Sequence, residues 1–183
     1  STPSPTRTIT SKPRAGEKIK VETPTTIHSL LEFESGAIIT LGASWDVWHH
    51  GHNNMELYGD EGTLYVPDPN FFGGELSMSR GKKLLKKAPA FNHALGIPNQ
   101  KHNHGMMANY RTAGLADMAT AIMNDRPHRC SLEMSLHVVD IMVSILKAGE
   151  TGRAVRLSTT CERPAALDRR EARSMLVPAK NKR

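Results

Sequence analysis

The chain has 183 residues, 38% of them hydrophobic, and a formal net charge of +6. That length and composition fit one soluble globular domain, polar and poor in aromatics, with loose ends. No apolar run approaches the roughly 20 residues of a membrane span, and Ser1–Gly16 has no apolar core of a secretory signal. Two cysteines, Cys130 and Cys161, make no disulfide framework, so reduced thiols in the cytoplasm are expected. The basic excess concentrates in Glu162–Arg183, with seven Lys/Arg against three Asp/Glu. No aromatic set accompanies it, so it reads as a solvated terminus, with neither nucleic acid nor membrane as a partner.

Residues 1–16 carry three prolines and read as an extended lead-in. Glu17–Thr23 alternates and suits an edge strand ended by Pro24. Thr25–Val66 organises the rest. Thr26–Phe33 and Ala37–Val47 are apolar strands joined by the turn Glu34-Ser35-Gly36. Asn54–Tyr58 and Thr63–Val66 follow, joined by Asp60-Glu61-Gly62. Connections this short predict antiparallel neighbours. Pro67–Gly74 is a loop. Glu75–Ser79 and Leu84–Ala88 read as a hairpin around Arg80-Gly81. Ala88–Gly105 has no period and reads as a long loop.

Tyr110–Asn124 is predicted helical, with Asn109 as its N-cap and Leu115, Met118, Ala119 and Ile122 on one face. A second helix follows Pro127. Ser131 caps it, Glu133 sits in its first turn, and Leu132, Leu136, Val139, Val143 and Leu146 make one stripe. Gly149 and Gly152 are expected to end it, and Ala154–Leu157 to return as a short strand. The expected fold is α+β: an open, mostly antiparallel sheet with helices packed on one face. Residues 17–157 form this domain and 158–183 a basic, flexible tail.

Two stretches, in this order and separation, carry a resemblance. One is Met55-Glu56-Leu57-Tyr58-Gly59-Asp60-Glu61-Gly62-Thr63-Leu64. The other runs from Gly114-Leu115-Ala116-Asp117 through Arg126-Pro127-His128-Arg129 and Ser131-Leu132-Glu133 to Leu136-His137-Val138-Val139-Asp140, then Gly152 and Val155. Together they resemble the C-terminal domain of the Gfo/Idh/MocA oxidoreductases, the glucose–fructose oxidoreductase and inositol dehydrogenase family. The resemblance implies a sheet like that of the glyceraldehyde-3-phosphate dehydrogenase C-terminal domain. It also implies a partner Rossmann domain binding NAD or NADP, a sugar or polyol pocket, and a sheet face used between subunits.

The departures from the family pattern matter as much. No Gly-x-Gly-x-x-Gly follows a strand, so no pyrophosphate cradle is present. Glu17-Lys18 is followed by Ile19 rather than the family's proline. The family's Asp-x-x-x-His pair is expected upstream of Ser1. The chain is therefore expected to be a piece opened inside a domain, to bind no cofactor itself and to carry no catalytic residue. The alternative is a freestanding, non-catalytic sheet module for protein assembly.

Candidate pocket residues are Trp48, His49 and His52 at a strand end, and Tyr110 and Arg111 at a helix start. Rings and imidazoles can pack on a sugar's C–H face and bond its hydroxyls. His50, and the His102-x-His104 pair, raise the question of a metal. No cysteine pair supports one, and none is expected. His137 and Asp140, three apart on one helix face, read as a structural pair rather than the catalytic one. Cys130 reads as a structural thiol. The mixed strands Ala37-Ile38-Ile39 and Leu41-Gly42-Ala43 put apolar residues on both sheet faces. A two-fold homo-oligomer through the open face is therefore expected, unless the Ala88–Gly105 segment covers it.

Overall fold

The computed structural model describes residues 6–89, 91–103 and 105–176. It is α+β, with every strand pair antiparallel. The sheet is divided rather than continuous, into three two-stranded pieces and one of four strands. The chain separates into two compact units: residues 1–51 with 138–159, and residues 52–137 with 160–183. No helix among the described residues is long and apolar enough to cross a membrane.

In the first unit, β1 (Thr6–Thr8) pairs with β2 (Lys18–Lys20). A strand thus lies inside the segment expected to be a lead-in. β3 (Thr26–Glu32) pairs along its whole length with β4 (Ile38–Ser44). The expected turn joins them: Gly36 has φ +85°, and the Phe33 N–H donates to the Ala37 carbonyl at 3.0 Å. Asp46 fastens the end of this ribbon. It accepts from the Thr25 hydroxyl at 2.5 Å, the Thr26 hydroxyl at 3.1 Å and the Arg7 guanidinium at 2.6 Å.

In the second unit, β5 (Met55–Tyr58), β6 (Gly62–Val66), β7 (Ser77–Arg80) and β8 (Lys86–Lys87) form a meander in sequence order. The segment expected to be one long loop is built. It holds a 3-10 turn, Ala94–Gly96, and a hairpin of β9 (Gln100–His102) with β10 (Gly105–Met107). Ala94 and Leu95 are buried and, with Ala172, form a small core flanked by Tyr110, Ala113 and Leu167. That core needs the segment 158–176, so the expected tail contributes to the fold. Its helix α3 (Arg169–Ser174) is capped by Asp168, which accepts from the Arg170 and Glu171 N–H groups.

Helix α1 (Ala113–Met123) starts later than predicted, at Thr112, which makes no side-chain cap bond. Asn109 is tied instead to Asn99 and Gln100. Its buried face is also not the one periodicity selects. Asp117 and Ala121 are buried, while Leu115 and Ile122 are 68% and 75% exposed. A carboxylate goes inside only where charges and donors meet it, and two arginines do so here.

Helix α2 (Leu132–Thr151) begins in the second unit and ends in the first. Ser131 caps it as predicted, accepting from the Met134 N–H at 3.2 Å. Gly149 lies within the helix, and Gly152, with φ +63°, follows its end. Ala154–Leu157 is not a strand. Asp140 holds the two residues that follow this segment. Its Oδ2 accepts from both the N–H and the hydroxyl of Ser158 and of Thr159, at 2.8–3.1 Å. The Thr159 hydroxyl above all, helped by these N–H groups and opposed by desolvation, holds the Asp140 carboxyl below its ordinary value.

The β6–β7 ladder has no room for a side chain at Gly62. A Cβ there would lie 2.1 Å from the Ser79 carbonyl oxygen, whereas one at Gly59 meets nothing closer than 3.8 Å. Gly62→Ala is expected to cost about 1–3 kcal/mol of stability by forcing two backbones apart. Chemical denaturation checks this, and Gly59→Ala should unfold at a clearly higher denaturant concentration than Gly62→Ala.

Candidate functional site

The best-defined polar constellation lies in the second unit, where α1 turns into the segment before α2. Asp125 takes φ +47°, a left-handed conformation that Asp tolerates. The Arg126 N–H then closes back on the Ala121 carbonyl at 3.1 Å. This tight exit brings the Arg126-Pro127-His128-Arg129 joint alongside its own helix. Arg126 reaches Asp117 at 2.9 Å and Glu171 of α3 at 2.6 Å. Arg129 pairs with Glu171 at 2.5 Å and contacts Asp117 through both its guanidinium and its backbone N–H, the latter at 2.7 Å. Its Nε also donates to the Ala165 carbonyl at 2.9 Å.

Two cations therefore meet two anions drawn from α1, the joint that follows it, and the distant α3. Burial alone would push the Asp117 carboxyl up. The Arg129 N–H and then the two guanidinium groups outweigh it and hold the carboxyl below its usual range. Arg129 is held above its usual value, chiefly by Glu171 and, against the cost of desolvation, by Asp117.

The same joint borders an open cleft of about 670 Å³, whose other wall is residues 160–165. His128, Ser131, Glu133, Cys161 and Arg163 line it. The His128 Nδ1 is buried and makes no hydrogen bond among the described residues. Glu133 is turned onto its own backbone N–H, which with the Ser131 hydroxyl and the nearby His128 lowers its carboxyl pKa. Glu133 thus satisfies part of the α2 N-terminus itself.

The candidates named from sequence lie elsewhere. Trp48 is fully exposed in the bend after β4 of the first unit, and His49 beside it is exposed. His52 is exposed at the start of the second unit. Tyr110 and Arg111 are neighbours but already engaged. The Tyr110 hydroxyl donates to the Ile97 carbonyl at 2.9 Å, and Arg111 reaches Asn109 and Asn70. Cys130 is exposed, with its Sγ 3.9 Å from the Ser135 hydroxyl. His104 lies outside the described residues. Among the described residues no three metal-capable side chains come together. A further pair was not anticipated: the Tyr58 hydroxyl donates to Glu56 at 2.5 Å, which with desolvation pushes the phenol up to about 12 and leaves it a donor at neutral pH.

In the sequence Asp117, Arg126 and Arg129 stand out only as positions of the resembled family motif, and Glu171 stands in no motif. An Asp on a short helix with two arginines nine and twelve residues on is the local signal. Glu171 carries none.

Residues 4–65 match the family model of the GFO/IDH/MocA C-terminal domain. The match takes in β1 through most of β6, about a third of the chain. This segment is similar to those C-terminal domains, as the Met55–Leu64 motif indicates. No curated protein and no solved structure matches the chain.

Arg129→Ala leaves Asp117 and Glu171 short of their main partner and is expected to cost about 2–4 kcal/mol. Because the Asp117 pKa is depressed on folding, its contribution is complete above the unfolded carboxylate value of about 3.9 and disappears as pH falls through the folded one. Denaturation of wild type and Asp117→Asn at a series of pH values should show a gap at pH 7 that closes towards pH 2. A gap independent of pH would contradict the assignment.

Proposed function

We propose that this chain is the substrate-shaping and assembly portion of an NAD(P)-dependent sugar or polyol oxidoreductase and is not catalytic alone. The family match over residues 4–65 is the observation that carries the reading. Members of the resembled family pair such a domain with a Rossmann domain. The nicotinamide there takes the hydride, and residues outside this chain handle the proton. The sequence agrees with that division of labour, because its 183 residues contain neither the Gly-x-Gly-x-x-Gly cradle nor the Glu-Lys-Pro lysine.

Within the first unit, the exposed Trp48 ring and the adjacent His49 supply a stacking face and a hydrogen-bonding edge suited to a polyol. The β3–β4 ribbon leaves Leu30 and Ile38 about two-thirds exposed. Its open face is the proposed subunit contact, forming a homo-oligomer in the cytoplasm.

Calorimetric titration of the chain with NADH and with NADPH tests the reading. No heat of binding is expected for either, and no oxidation of glucose or inositol. Micromolar affinity for a nicotinamide cofactor would overturn the proposal that the cofactor half lies elsewhere.

A further inference from the structure

Where β7 turns into β8 the chain reads Arg80-Gly81-Lys82-Lys83-Leu84-Leu85-Lys86-Lys87, with cations and two leucines and no acid among them. The stretch belongs wholly to the second unit. Backbone bonds shape it. Gly81 takes φ +56°, and its N–H donates to the Glu61 carbonyl at 2.9 Å. The Lys83 N–H closes back on the Arg80 carbonyl at 3.2 Å, and the chain returns with Lys86 opposite Met78. Every residue from Arg80 to Lys87 is exposed, Leu84 to 85%.

The charges of this turn are largely unspent. Lys87 pairs with Glu75 at 2.5 Å. Among the described residues, Arg80, Lys82, Lys83 and Lys86 make no ion pair. Asp60 and Glu61, in the β5–β6 turn at the same end of the sheet, offset two of these four cations and leave an excess of two. We propose that this hairpin tip docks on an anionic lipid surface, with Leu84 and Leu85 entering the headgroup boundary and the four cations against lipid phosphates and carboxylates.

The leucines select the occupant. A nucleic-acid backbone rewards the cations but not an adjacent apolar pair, and the hairpin has no aromatic ring for a base to stack on. A bilayer boundary rewards both, because apolar side chains leave water there while cations stay at the charged surface. Each excess cation tightens binding about fivefold at such a surface, so two give roughly thirtyfold. The leucines add a comparable factor if about half their exposed area leaves water. Together these predict a weak contact, with a dissociation constant of about a millimolar in accessible lipid. The expectation of no membrane partner came from the charge of residues 162–183, a separate stretch. The hairpin also lies outside the matched residues 4–65 and does not rest on the family reading.

Co-sedimentation of the full chain with phosphatidylcholine vesicles containing roughly 30% phosphatidylserine, at about 5 mM lipid, tests this. The chain should pellet at about 50 mM salt, be released at about 300 mM, and stay in solution with pure phosphatidylcholine. Lys82→Glu with Lys83→Glu should weaken binding at least about tenfold. Leu84→Ser with Leu85→Ser, which leaves the charge unchanged, should weaken it about fivefold or more. Both pairs of changes fall on exposed residues, so circular dichroism should match wild type. Lys180→Glu with Lys182→Glu should leave binding intact. No pelleting with the anionic vesicles overturns the proposal. So does pelleting that survives the lysine exchange, or that is lost with the Lys180 and Lys182 exchange, which assigns it to the terminus. Full binding by the leucine variant, or tighter binding to a DNA duplex than to the vesicles at the same salt, overturns the lipid surface as the occupant.

Discussion

The second unit depends on how one carboxylate, Asp117, is kept buried. An isolated charge at 5% exposure would cost more than a small core returns. Asp117 escapes that cost because Arg126 and Arg129 reach it from the segment after its own helix, and the Arg129 N–H supplies a further donor. Each arginine has charge to share, so Glu171 of α3 completes a balanced set of four. The consequences spread outward. α1 turns its small, acidic face inward and its leucine and isoleucine outward. α3, only six residues long and too short to persist alone, is fixed with Ala172 in the core. His93 adds a second tie, bonding the Leu167 carbonyl through Nε2 while its Nδ1 accepts from the Leu95 N–H.

The first unit uses the same device at smaller scale. Asp46 collects Thr25, Thr26 and Arg7 at the end of the β3–β4 ribbon, and Asp140 collects Ser158 and Thr159 beside α2. In both units, short elements with little buried apolar area are closed by a carboxylate that gathers several donors. Among the described residues few side chains are buried, and many large apolar ones, both tryptophans among them, are exposed. Apolar residues of strands and helix faces, Leu30, Ile38 and Leu132 among them, stay exposed on a chain closed in this way.

Local chemistry made much of the fold legible. The Glu34–Gly36 turn, the Asp60–Gly62 connection, the hairpin at Gly81 and the Ser131 cap each follow from residues adjacent in sequence. What failed to show was what long-range partners decide. Periodicity places Leu115 and Ile122 inside, and only the two arginines beyond the helix reverse it. Ala154–Leu157 has the composition of a strand, yet the chain is irregular there, and Asp140 gathers the two residues beyond it. The segment around Ala94 reads as loop because its apolar residues are few, yet Ala172, more than seventy residues on, makes them a core. At the helix start, long-range partners also set the side chains: the Tyr110 hydroxyl bonds the Ile97 carbonyl, and Arg111 reaches Asn109 and Asn70.

Hydrogen exchange of the backbone amides tests the central role of the Asp117 cluster most directly. In wild type, the amides that α3 closes, Ala172 and Met175, should be protected along with the β5–β7 strands. Removing the charge with Asp117→Asn should abolish protection in α3 and leave the strands slow. Protection in α3 that survives the substitution unchanged would contradict the dependence of this unit on that one buried carboxylate.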